Sequence, residues 1–171
     1  MNEMLDLMIE KYHPKTNVQR INVIKQVLQE IALSGLSKSH FFDHAAFYGG
    51  TSLRIVYGLN RFSEDLDFAL IDSDPNFNLD SYFPALVQEF NHYGININVE
   101  TKEKLHSTGV QSAFIKTNTL MLMLNFYPSI KESNKFVFNQ KIKIKFEIDL
   151  SNPPGGKTEI RSLTNPNQCQ I

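Results

Sequence analysis

Apolar residues recur along this chain with two different periods, and each period predicts a different kind of element. Between residues 17 and 34, Ile24, Val27, Leu28 and Ile31 fall at i, i+3, i+4 and i+7, with Ile21 and Val23 widening the stripe. That spacing predicts an amphipathic helix. Thr16 or Asn17 can cap its start, and Gly35 is placed to end it. Residues 2–12 carry similar spacing, and a short third helix is expected over Ser37–Phe42. These leading helices are expected to cover a sheet rather than to form a site. Ala45–Tyr48 reads as a short buried strand, and Thr51–Tyr57 as a helix broken by Gly58-Leu59-Asn60. A further helix is expected at about Ser81–Tyr93, with Pro84 tolerated in its first turn and Gly94 ending it.

The period then shortens to two. Ile95, Ile97 and Val99 alternate with Asn96, Asn98 and Glu100, as in a half-buried strand. Val110–Lys116 and Leu120–Phe126 are further strand candidates, although the second has an apolar run that period alone cannot separate from a short helix. Lys141–Leu150 alternates most cleanly: Ile142, Ile144, Phe146 and Ile148 take one face, and Lys141, Lys143, Lys145, Glu147 and Asp149 the other. Asn152-Pro153-Pro154-Gly155-Gly156 stops regular structure. Helices, then strand–helix–strand–helix, then strands indicate a single α+β domain with a mixed, mainly antiparallel sheet, packed helices and an N-terminal helical lead-in. The expected divisions are 1–43 for the lead-in, 44–150 for a catalytic core, and 151–171 for the start of a C-terminal region.

The last strand before the middle of the chain, expected over Asp65–Ile71, carries the chemistry. Leu66, Phe68, Leu70 and Ile71 read as buried, while Asp65 and Asp67, two apart, point to the same face. Paired carboxylates on a buried strand are costly unless something compensates them, and a shared divalent cation is the usual partner. Just upstream, Gly49-Gly50-Thr51-Ser52 opens a predicted helix, where unpaired N–H groups and the helix dipole favour a phosphate. Glycines allow close approach, and the Thr51 and Ser52 hydroxyls add donors. The same turn is also a routine helix start, so it gains meaning from the carboxylates beside it. Together they are what metal-dependent phosphoryl or nucleotidyl transfer requires. Glu147 is the favoured third carboxylate, with Asp149 nearer the strand end; a solvated polar face is the plainer alternative. Lys145 lies near the proposed site. Lys141 and Lys143 either bind phosphates or protect an edge strand. Arg54 and Arg61 either hold phosphates or pair with Glu64 or an aspartate.

Composition narrows the rest. With 17 basic and 18 acidic residues among 171, the net charge is −1, which argues against a generic nucleic-acid-coating protein but leaves room for a local basic patch. Cys169 is the sole cysteine, so an internal disulfide and a cysteine zinc cluster are excluded. The N-terminus lacks the features of a signal peptide, and no run is apolar and long enough to span a membrane. A cytoplasmic location is the expectation. The five histidines show no metal-ligand pattern and read as structural.

Gly49-Gly50-Thr51-Ser52-Leu53-Arg54 followed by Arg61-Phe62-Ser63-Glu64-Asp65-Leu66-Asp67-Phe68 resembles the first motif of the AbiEii/AbiGii toxin family, within the DNA polymerase β-like nucleotidyltransferase superfamily. The resemblance covers roughly residues 40–150. It implies a nucleotidyltransferase fold and a two-metal site for Mg²⁺, with Mn²⁺ as an alternative. Asp65 and Asp67 are implied metal ligands, while Gly49, Gly50, Thr51, Ser52, Arg54, Arg61 and Ser63 are expected around the nucleotide. Lys145 and Glu147 match the family's short second motif, Glu147 as a metal ligand. The implied partners are an NTP, an acceptor such as the tRNA 3′ end, and a cognate antitoxin protein of a toxin–antitoxin or abortive-infection system. A helical C-terminal half with a lysine motif and an Arg-Asp-x-x-Asp-like motif is also implied, beyond Ile171. Two other readings remain: a nucleotide- or partner-binding remnant without catalysis, and a metal-dependent phosphohydrolase.

Overall fold

The computed structural model describes residues 3–102, 109–118, 122, 141–151, 156–163 and 169–170. Two helices lead, α1 (Glu3–Glu10) and α2 (Asn17–Lys38), the second opened by a capping box in which Thr16 accepts from the Gln19 N–H. α2 runs through Gly35, where the sequence suggested an end, and absorbs the start of the expected Ser37–Phe42 helix; only a 3₁₀ turn, Phe41–Asp43, follows. The reason is packing. A Cβ on Gly35 would lie 3.1 Å from the Glu89 Cβ and 3.3 Å from the Ala85 carbonyl oxygen. Gly35 is therefore a close-approach residue between helices, not a terminator.

Next come β1 (Ala45–Tyr48), α3 (Gly49–Tyr57) and β2 (Leu66–Leu70). α3 ends on Gly58 in the left-handed region (φ 73°). A 3₁₀ turn, Leu79–Tyr82, leads into α4 (Phe83–His92), with Pro84 in its first turn as expected. The last large elements are β3 (Asn98–Thr101), β4 (Val110–Asn118) and β5 (Lys141–Asp149), followed by a small pair, β6 (Ser162–Leu163) and β7 (Cys169–Gln170). β3 begins three residues later than the alternation suggested, because the Ile95 N–H bonds back to the Phe90 carbonyl and closes α4. Ile71 lies beyond β2 and is half-buried rather than buried. The Leu120–Phe126 candidate lies outside the described residues except for Leu122, which is buried.

Among the described residues the main sheet has the order β1-β2-β5-β4-β3. The β2–β5 pair is parallel and the others antiparallel, so the sheet is mixed and mainly antiparallel, as the element order indicated. β5 sits in the middle. From Phe146 on it is paired on both sides, but among the described residues Lys141–Lys145 pairs with β4 alone, so the edge-protection explanation for Lys141 and Lys143 stands beside phosphate binding. One face of the sheet meets the helices. Leu66, Phe68, Phe146 and Ile148 are fully buried there, in one core with Val27, Leu28, Ile31 and Phe90. Edge-to-face contacts link Phe41, Phe68 and Phe146, with centroids 4.8–5.8 Å apart. The opposite face of the central strands keeps the polar residues.

Candidate active site

The register of the central strands assembles the site. Asp67 lies opposite Tyr48 on one side and Glu147 on the other. Glu147 in turn lies opposite Ser112, whose Oγ donates to Glu147 Oε1 at 2.9 Å. Lys145, two residues earlier, donates to the same carboxylate, with Nζ 2.5 Å from Oε2. Asp65 stands one residue before β2. Burial alternates through Asp65–Leu70: Leu66, Phe68 and Leu70 are buried, and Asp65, Asp67 and Ala69 are half-buried on the other side. Asp149, the other candidate, pairs with Ala69 and accepts bonds from the Ser151 N–H and Oγ. Its register position is one step further from Asp67 along the same face than Glu147 is.

The electrostatics show that these groups feel one another. Burial pushes the Asp67 carboxyl above the usual carboxylate range, and the charges of Asp65 and Glu147 push the same way, against Lys145. The hydrogen bond to Glu147 holds the Lys145 ammonium above the ordinary lysine value, with Asp65 and Asp67 adding to the effect. Burial, then Asp67, Asp149 and Glu147, raise the Tyr48 phenol. The concentration of negative charge is therefore centred on Asp67.

The glycine turn closes against this carboxylate. Gly49 takes φ 79°, and a Cβ there would sit 2.7 Å from Asp67 Oδ2. A Cβ on Gly50 would sit 3.0 Å from Ser63 Oγ. Gly49 needs glycine for its left-handed backbone and its approach to Asp67, while Gly50 leaves little room beside Ser63. Tyr48 is the N-cap of α3 and supplies no side-chain cap bond, so the helix opens beside Asp67 without a capping side chain.

Other expected contacts lie elsewhere. Thr51 is buried, and its hydroxyl donates to the Asp65 carbonyl at 2.5 Å, tying α3 to the strand start. Ser52 lines a separate cleft of about 420 Å³ with Phe42, Phe47 and Val56. Arg54 stacks over the Phe62 ring at 4.9 Å; burial lowers its pKa, against Tyr12 and Glu30. Arg61 is exposed on the loop leading to Ser63. Glu64 pairs with Lys25 at 2.9 Å rather than with either arginine.

That contact also corrects the role of the leading helices. α2 reaches the motif loop directly. The fully buried Gln29 donates to the carbonyls of Ser63 (3.1 Å) and Glu64 (2.9 Å), and Lys25 binds Glu64. Gln29, Lys25 and Ser112 were not predicted as part of the site. A glutamine inside an apolar helical stripe was the available signal for the first, and a serine within an apolar strand for the last.

The donor set suits a hard divalent cation, since Asp65, Asp67 and Glu147 offer only carboxylate oxygens. Among the described residues, however, no group of three or more His, Cys, Asp or Glu side chains is arranged to hold a metal ion. Glu147 is engaged by Lys145 and Ser112 instead. The fit is thus one of chemistry, register and the negative charge gathered around Asp67.

Comparison with known proteins bears on family and fold. Residues 31–170 match the family described as nucleotidyl transferase AbiEii toxin, type IV TA system. Two solved structures from Helicobacter pylori are similar to the chain. One is a proposed nucleotidyltransferase, with 19% identity and a TM-score of 0.53, covering 86% of this chain and 52% of that one. The other is JHP933, with 18% identity and a TM-score of 0.49, covering 86% of this chain and 50% of that one. At such identities the first likeness establishes the fold alone. The chain spans about half the length of the solved structures it matches. No curated protein matches it.

Proposed function

The chain belongs to the AbiEii nucleotidyl transferase toxin family, and we propose that it acts as a metal-dependent nucleotidyltransferase toxin that moves NMP from an NTP to an acceptor such as the tRNA 3′ end. The observation that carries this reading is the seating of the glycine turn against Asp67, with Glu147 in register across the parallel pair. A phosphate-binding helix start and a set of carboxylates then share one point on the sheet.

In this reading Asp65, Asp67 and Glu147 hold Mg²⁺, with Mn²⁺ as an alternative. Divalent metal, when bound there, lowers the pKa of an acceptor hydroxyl and stabilises the departing pyrophosphate. The chain's own groups position the reactants. Gly49 and Gly50 admit the triphosphate to the N–H groups of α3, and Ser63 borders that entry. Lys145, released from Glu147, contributes a cation to the phosphates. Thr51 and Gln29 act behind these residues by fixing the backbone of residues 63–65. An antitoxin protein is the partner this family membership supplies. Among the described residues no helix is long and apolar enough to cross a membrane.

The test is transfer of radiolabelled NTP to total tRNA by the wild-type chain and by Asp67→Ala, with and without a chelator. Labelling that requires both Asp67 and divalent metal is expected. Equal labelling by the two proteins would overturn the assignment.

A further inference from the structure

A cleft of about 360 Å³ lies between the first half of β5, α2 and Asp65, and four of its nine lining residues are lysines. Lys141, Lys143 and Lys145 come from β5 and Lys25 from α2, with the half-buried Phe114 of β4 in the floor. Among the described residues the Lys141–Lys145 half of β5 pairs with β4 alone, since β2 joins only from Phe146. Lysines on such an open side discourage strand addition, and here they also set a row of cations beside Asp65. Lys145 is bound to Glu147, and Lys25 to Glu64 at the rim. The Lys143 ammonium is held over the Phe114 ring, 3.4 Å from its centroid, which keeps it in the cleft. Lys141 and Lys143 are both exposed.

Resting on the transferase reading above, we propose that this row of lysines is the track for the acceptor, a single-stranded nucleic-acid segment whose 3′ end reaches Asp65. Residues at i and i+2 of a strand stand about 6.6 Å apart. Successive ammonium groups at that step match successive phosphates of an extended single strand. One nucleotide triphosphate, whose phosphates are directly linked, is too compact to use all of them. Lys141 lies about 13 Å along the strand from Lys145, so it serves a ligand that extends away from the metal-binding carboxylates. Direction follows from charge. Phosphates are favoured along the lysines and repelled at Asp65, Asp67 and Glu147, so the group arriving there is the terminal hydroxyl. That is the group a nucleotidyltransferase must present.

The experiment uses the full chain and a fluorescein-labelled single-stranded RNA of about 12 nucleotides, a length in the range of single-strand sites. Binding is followed by anisotropy against salt concentration, for wild type and for the double variant Lys141→Gln/Lys143→Gln. Both side chains are solvent-exposed, and unchanged thermal melting confirms the fold. The variant is expected to bind at least about tenfold more weakly, with its log–log salt slope reduced by about 1.4 for two lost phosphate contacts. Its affinity for NTP stays at the wild-type level. Unchanged RNA affinity and slope would overturn the track, as would equal competition by polyglutamate of the same charge, which would mark the surface as one for an acidic protein. The two readings fail separately. Lysine-dependent RNA binding without any nucleotide transfer leaves the track standing and removes the transferase. Transfer by a protein whose RNA binding ignores both lysines does the reverse.

Discussion

Asp67 is a residue placed against its own stability. It is half-buried, faces Asp65 and Glu147, and is crowded by Gly49. Its folded pKa is raised, so the folded state binds its proton more tightly than the unfolded chain does. The associated stability is present below the ordinary aspartate pKa and is lost as pH rises through the raised value. At neutral pH and in chelator the charge is therefore a net cost. Asp67→Asn is expected to raise the melting temperature at pH 7 while abolishing transfer, with the thermal gain fading as pH falls below the ordinary aspartate range. A lower melting temperature at pH 7 would show that the carboxylate is compensated. Gly49→Ala is expected to act oppositely, costing roughly 1–3 kcal/mol for a non-glycine residue at positive φ and displacing Asp67. Chemical denaturation measures the cost, and unchanged stability would sink the crowding argument. The alternation that exposes the aspartates was legible in the sequence, since it depends only on strand period. The contact of Gly49 with Asp67 was not, because a glycine before a helix looks the same whether or not a carboxylate lies behind it.

Between elements, the α2–α4 contact shows what local signals cannot carry. Gly35 has the residue type of a helix stop but serves as a passage for α4. Next to it the buried Glu89 accepts from Ser34 at 2.8 Å and from Lys38 at 2.6 Å, with His92 3.5 Å away. Burial alone would raise the Glu89 carboxyl, but the bonds from Lys38 and Ser34 outweigh it and hold the pKa below the usual glutamate value. A depressed folded pKa contributes stability above the unfolded value, and this is lost as pH falls through the folded one. Glu89→Gln is expected to destabilise the protein by about 1–3 kcal/mol at pH 7, with the difference from wild type shrinking in acid below the ordinary glutamate range. A difference that persists undiminished at low pH would assign the loss to packing instead. Gly35→Ala, tested alongside by thermal melting, should also destabilise, since its Cβ meets the Glu89 side chain and α4 backbone. A neutral result would mean that the helices can move apart. Neither interaction was readable beforehand, because both partners of each lie more than fifty residues apart.

At the scale of the whole molecule, the parallel pairing of β2 with β5 decides where both core and site are. It brings Phe68 and Phe146 together on one face and Asp67 and Glu147 together on the other. The strands themselves were legible from their alternation, but their order was not. A clean strand with lysines on one face suits an edge as well as a centre, and only long-range pairing distinguishes them. The topology makes a kinetic claim. Over Phe146–Asp149 β5 has ladders on both sides and its apolar residues are buried, whereas β3 is an edge strand whose residues are exposed or half-buried. Local openings should therefore release β3 first and the β2–β5 pair last. Native-state hydrogen exchange is expected to show the amides of Phe68, Phe146 and Ile148 exchanging only through global unfolding, and those of β3 at a much lower opening free energy. Phe146→Ala should then lower the whole slow set together by about 3–5 kcal/mol, because Phe146 is packed against Phe41 and Phe68 in the one core. Early exchange of Phe146–Asp149, or a loss confined to the amides of β5, would mean that the central pair is not the cooperative unit on which Asp67 and Glu147 are mounted.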